Sequence, residues 1–170
     1  MNKYMEKNKN ELRIERVFDA PRDVVWRVWT DPDMVKKWWG PKDFTAPEVT
    51  IDFRKGGKYL YCMRGKVAPD ASEKDFWSGG VFQEIVAMEK IVLTDYFADE
   101  NGNQVSATYY GMDAKTPMEM MLTITFEDHE IDKTKLTLYY PDRGEMNEME
   151  GEGMRQGWNQ SLDKLADAIK

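Results

Sequence analysis

Two side chains that most often carry chemistry are almost missing from this chain of 170 residues, which has one cysteine, Cys62, and one histidine, His129. A lone cysteine excludes an internal disulfide and cannot by itself form a thiolate metal site. Cys62 alternates with Leu60 and Arg64 and has no imidazole close in sequence, so it reads as an inert thiol. His129 falls in a tight-turn sequence between two strand-like segments and reads as a solvated turn residue; no histidine-dependent triad can be built around it. No apolar run approaches the ~20 residues that span a bilayer, and Met1 to Glu11 contains no apolar stretch resembling a secretory signal. There is no basic tract: Lys and Arg are scattered, and a net charge of −7 repels phosphate backbones, which argues against nucleic acid as a partner. Gly-rich phosphate loops and calcium-loop spacings are also missing. Lys55-Gly56-Gly57-Lys58 reads as a hairpin turn, and the acids around Asp128–Asp132 and Glu145–Glu152 read as solvated faces. The expectation is a soluble cytoplasmic protein with no cofactor, no metal and no membrane span.

What is present is hydrophobic patterning. The chain is 41% apolar and 32% charged, enough for one domain that buries roughly 70% of its unfolded-chain surface. Residues 1–10, MNKYMEKNKN, read as a disordered tail, with the domain running from 11 to 170. Leu12, Ile14 and Arg16 alternate with Arg13, Glu15 and Val17 as a first strand into Phe18. Pro21 and Asp23 suit a helix start, and Val25, Val28 and Trp29, with Trp26 alongside, give it an apolar face. Asp31 then caps a second short helix with Pro32 at its first position, and Gly40-Pro41 ends it after Trp38-Trp39.

From Phe44 the period changes to two, the mark of half-buried strands. Val49, Ile51 and Phe53 lead through Gly56-Gly57 into Tyr59, Tyr61 and Met63; a polar loop from Lys66 to Asp75 precedes a strand through Val81, Phe82 and Ile85. Further strands run over Ile91 to Phe97, Met120 to Phe126 and Leu136 to Tyr140. Between Asp99 and Pro117 lies a long segment with Tyr109-Tyr110-Gly111-Met112, and long loops with aromatics usually cover something. Met146 to Lys170 is strongly helical, with Met154, Trp158, Leu162, Leu165 and Ile169 on one face. The order predicts an α+β fold: a curved antiparallel sheet of about seven strands wrapped around a long C-terminal helix, with two short helices after the first strand.

The ordered residues Ala20-Pro21, Val25-Trp26, Thr30-Asp31-Pro32, Trp38-Trp39-Gly40-Pro41, Asp52-Phe53-Arg54-Lys55-Gly56-Gly57, Gly80-Val81-Phe82-Gln83-Glu84-Ile85, Thr134-Lys135-Leu136 and Gly157-Trp158 resemble the activator of heat-shock protein 90 ATPase homologue-like family. That family lies in the SRPBCC (START-like) superfamily, and the resemblance, over residues 11 to 170, implies a helix-grip fold. It implies less about function, because the superfamily spans lipid carriers, cyclases and interaction modules. The Asp99–Pro117 loop departs from the family by its length.

Twelve Met, eight Tyr and six Trp suit either a plastic pocket or ordinary core packing. The expected pocket residues are Trp38, Tyr59, Tyr61, Met63, Met120, Leu122, Met154, Trp158 and Leu162. Of Trp38 and Trp39, one is expected to plug the core and the other to guard a cavity mouth. Gly151, Gly153 and Gly157 either leave space at the front of the last helix or belong to a loop before it. Asp95 and Glu84 are the acids to watch: facing a cavity with Tyr59, Tyr61 and Tyr110, either would have its pKa raised by desolvation, whereas at the sheet edge it would pair with Arg64 or Lys90. Three functions remain open: non-catalytic binding of a small hydrophobic or amphipathic molecule, co-chaperone-like contact with heat-shock protein 90, and a cyclase- or hydrolase-like enzyme using pocket acids and tyrosines.

Overall fold

The period-two segments pair into one antiparallel sheet. Residues 10–170 are described by the structure, a computed structural model. The strands are β1 (Leu12–Phe18), β2 (Thr45–Ile51), β3 (Lys58–Gly65), β4 (Lys74–Val86), β5 (Lys90–Ala98), β6 (Met120–Asp128) and β7 (Thr134–Tyr140). Their spatial order is β1-β7-β6-β5-β4-β3-β2, so a meander from β2 to β7 returns to pair with β1. Hairpin connections or the long segment between β5 and β6 join neighbouring strands in that antiparallel order, and only the passage from β1 to β2 crosses from one edge to the other. Two short helices make that crossing, α1 (Arg22–Thr30) and α2 (Pro32–Val35). The third helix, α3 (Glu148–Ala168), lies against the concave side of the curled sheet.

Three boundaries differ from the sequence expectation. β4 starts at Lys74, ahead of the anticipated strand, because pairing with β3 continues through Arg64↔Asp75, where a bidentate ion pair at 2.6 and 3.0 Å fastens the strand ends. α2 ends at Val35 and only turn bonds continue to Trp39, whose N–H donates to the Val35 carbonyl. The glycines in question lie within α3, which begins at Glu148 behind a reciprocal cap: the Asn147 side chain accepts from Glu150 N–H, and Glu150 accepts from Asn147 N–H. The expected tail lies outside the described residues except for Asn10, whose carbonyl accepts from Arg143 N–H.

One apolar cluster joins all layers. Val25 and Val28 of α1, Val35 of α2, Phe126, Leu136 and Leu138 of the sheet, and Leu162 and Leu165 of α3 are all buried in it. Leu162 and Leu165 sit one turn apart, as the helical stripe requires. Polar clamps set the helix on the sheet. Arg16, on the inward face of β1, pairs with Asp163 at 2.8 Å and reaches Asn159. Lys164 Nζ donates to the carbonyls of Trp39, Pro41 and Phe44 at 3.4, 3.2 and 3.1 Å, which fixes the segment after α2 against α3. Burial lowers the Lys164 pKa.

Candidate functional site

Side chains on the inner face cannot fill the whole width between the sheet and the front of α3. A cavity of about 490 Å³ remains there, within the range of small-molecule sites. Its sheet wall comes from Met63, Phe76, Ser78, Asp95, Phe97 and Met120, and its helix wall from Met154, Trp158 and Ser161. The rim is Trp39 to Pro41 on one side and Met112, Asp113, Thr116 and Pro117 of the long loop on the other. That loop does cover something: it supplies one lip of the cavity.

Glycine placement explains the opening. Gly153 and Gly157 line the cavity, and a Cβ added at Gly153 would meet no atom within 4 Å, while one at Gly157 would meet only Pro41 Cγ at 3.9 Å. Both positions face space, at a cost of up to about 1 kcal/mol each in helix propensity. Gly151 differs, since its Cβ would fall 1.6 Å from the Arg143 guanidinium.

The expected pocket residues divide into three groups. Met63, Met120, Met154 and Trp158 line the cavity. Tyr59, Tyr61 and Leu122 lie beneath it, around an annex of about 20 Å³ shared with Trp29, Trp39, Asp95 and Trp158. Trp38 and Leu162 line neither space and are fully buried. Trp38 is the core plug: its indole N–H donates to the Val28 carbonyl at 3.0 Å and its ring packs on Trp29 at 4.6 Å. Trp39 is the cavity residue of the pair, edge-on to Trp158 at 5.5 Å and to Tyr61 at 4.8 Å.

The acids separate as well. Glu84 pairs with Lys90 at 3.0 Å on the exposed side. Asp95 faces inward at the cavity floor and its pKa is raised to about 6, chiefly by desolvation, with the bond from Tyr140 pulling the other way. That bond, Tyr140 Oη to Asp95 Oδ2 at 2.9 Å, continues a chain in which Trp158 Nε1 donates to Tyr140 Oη at 3.1 Å. The tyrosine beside Asp95 is therefore Tyr140. Tyr110, expected in this role, is committed elsewhere: its hydroxyl donates to the Ala98 carbonyl and accepts from Trp77 N–H. Tyr59 donates to the Thr94 carbonyl at 2.6 Å. Burial and the nearby Asp95 carboxylate raise the pKa of Tyr59, Tyr61 and Tyr140, so all three stay neutral.

Sequence reasoning missed Phe76, Phe97, Tyr140, Met146 and Ser161. Tyr140 was within reach, because it shares parity with Leu136 and Leu138. Phe76 was not, because the start of β4 reads as loop. Cys62 is buried and its thiol pKa is pushed up to about 11, foremost by burial, which keeps it protonated and unreactive. Among the described residues no group of three or more His, Cys, Asp and Glu is placed to hold a metal, and no helix is long and apolar enough to cross a membrane.

Set beside known proteins, residues 19–170 match the family model described as Activator of Hsp90 ATPase homolog 1-like protein. Among curated proteins no match is found. Solved structures are similar over nearly the whole chain. A protein from Arthrobacter aurescens is 28% identical with a TM-score of 0.74, covering 96% of this chain and 88% of that one. One from Chromobacterium violaceum is 28% identical with a TM-score of 0.68, covering 93% and 96%. A third, from Nitrosomonas europaea, is 20% identical with a TM-score of 0.72, covers 96% of each chain and speaks for the fold alone.

Proposed function

Since the chain belongs to the Activator of Hsp90 ATPase homolog 1-like family, whose helix-grip architecture leaves a hollow under the last helix, we propose that it holds a small hydrophobic or amphipathic molecule in that hollow without transforming it. The observation that carries this reading is the cavity itself: about 490 Å³ of space walled by Met63, Phe76, Phe97, Met120, Met154 and Trp158. Burial of a ligand there contributes about 25 cal/mol per Å² of apolar area removed from water. Methionine and aromatic walls adapt to varied shapes, and two glycines in α3 keep the mouth clear.

Native mass spectrometry of freshly purified protein, with solvent extraction of retained material, tests the proposal. A bound mass, or saturable uptake of an apolar fluorophore, is the expected result. Substituting Gly153→Phe, which drives a ring into the mouth, should abolish uptake. Failure of the wild-type protein to retain or take up any apolar molecule overturns the reading.

The family description favours a second reading, contact with a heat-shock protein 90 partner through the outer surface. It predicts a changed ATPase rate of that chaperone, equal for wild type and Gly153→Phe. A catalytic reading would give Asp95 the part of proton donor or acceptor; the Tyr59 and Tyr140 hydroxyls are already committed to the Thr94 carbonyl and to Asp95, which suits holding a group better than moving with one.

A further inference from the structure

A cavity that served only apolar molecules would have no use for a carboxyl on its floor. Asp95 accepts one hydrogen bond, from Tyr140 to Oδ2, and its other oxygen has no partner among the described residues. No lysine, arginine or histidine among them forms an ion pair with it. The groups facing it are the aromatic side chains of Tyr59, Tyr61 and Tyr140 and the indole of Trp158, all uncharged. A half-buried anion at a cavity floor with one neutral donor is poorly compensated, and the missing partner is a second donor or a positive charge.

Resting on the cavity-binding reading above, we propose that Asp95 is the anchor that selects the polar end of the ligand: the cavity takes apolar molecules with a hydrogen-bond-donating head, protonated amines best and alcohols next, and rejects carboxylates. Three observations converge on this. Asp95 borders both the main cavity and the annex beneath it, so a head group at the floor meets it while the tail lies among the methionines. Trp39 and Trp158, edge-on to each other at 5.5 Å, border the same two spaces, and aromatic faces attract cations. The Trp158 to Tyr140 to Asp95 chain holds the carboxyl at one oxygen and leaves the other for the ligand. A carboxylate head would add a second negative charge in a space where no described residue of the lining is a cation.

The test uses three probes of one tail length, n-octylammonium, 1-octanol and octanoate, titrated into the full chain at pH 7.5 with tryptophan fluorescence as readout. The expected result is octylammonium about tenfold or more tighter than octanoate, with octanol between, as a charge-assisted hydrogen bond implies. In Asp95→Asn the ammonium preference should fall to within about threefold. Tyr140→Phe, which removes the bond that holds Asp95, should reduce the preference without reversing it. Equal binding of the three probes by the wild type, tighter octanoate, or a preference that persists in Asp95→Asn overturns this inference and leaves the cavity reading standing. Failure of all three to bind overturns both. The wild-type order carries the test by itself should Asp95→Asn not fold.

Discussion

Replacing Asp95 by Asn should make the protein more stable, not less. Burial raises the Asp95 pKa from 3.8 to about 6, so at pH 8 the folded protein holds a charge that the unfolded chain carries more comfortably. By linkage the difference is a penalty of about 3 kcal/mol, fully present above pH 6 and withdrawn as pH falls from about 6 toward 4, because the folded state binds the proton more tightly. Asn has no such charge and keeps an oxygen for the Tyr140 hydroxyl. That penalty is already net of the Tyr140 bond, and because Asp95 is only half-buried, solvent screening trims it. The net expectation is a variant about 1–2 kcal/mol more stable at pH 8. Between pH 8 and pH 5 that advantage should shrink by more than about 1 kcal/mol. Urea denaturation of both proteins at the two pH values, with midpoints compared at matched slopes, measures it. A variant less stable at pH 8, or an advantage independent of pH, would refute the reasoning, since either result means that something compensates the buried carboxylate. Confirmation would mean that the fold keeps a destabilising group where a ligand is proposed to bind, as strained sites often do.

Three further outcomes follow from the geometry. Gly153→Ala should stabilise the protein by up to about 1 kcal/mol in thermal unfolding, because its Cβ enters open space in a helix; Gly151→Ala should gain less, because Arg143 must first move aside. Lys164→Met should lose about 1–3 kcal/mol by leaving three carbonyls without their donor, and hydrogen exchange should rise across residues 39–44. Trp158→Ala should cost about 3–5 kcal/mol by denaturant titration, since the ring stacks on Trp29 at 6.0 Å besides facing the cavity; a loss below about 1 kcal/mol would show that it borders open space only.

The architecture was legible because it is written in local patterns. Alternation along β3, β5, β6 and β7, the Asp31-Pro32 helix start and the 3.6-residue stripe of α3 each assign a residue to a face without knowledge of its neighbours. The end of α2 and the start of β4 were not legible, because one depends on a turn that ceases to be helical after Val35 and the other on pairing with a strand that reads as its own unit. The site was half legible for the same reason. Met63, Met120, Met154 and Trp158 follow from parity, but parity cannot separate a residue that borders space from one that fills it, and so Trp38 and Leu162 were grouped with them.

Composition and periodicity by themselves determined that this chain forms a bent antiparallel sheet closed by a helix, and that a single cysteine leaves it no internal disulfide. The tertiary structure alone decided where the sheet and helix part, that Trp39 rather than Trp38 faces the gap, and that Asp95 meets Tyr140 and Trp158 there. The physical reason is range: hydrophobic patterning acts between residues a few positions apart, whereas a hollow and the desolvation of a carboxyl are properties of groups 18 to 45 positions apart brought together in space.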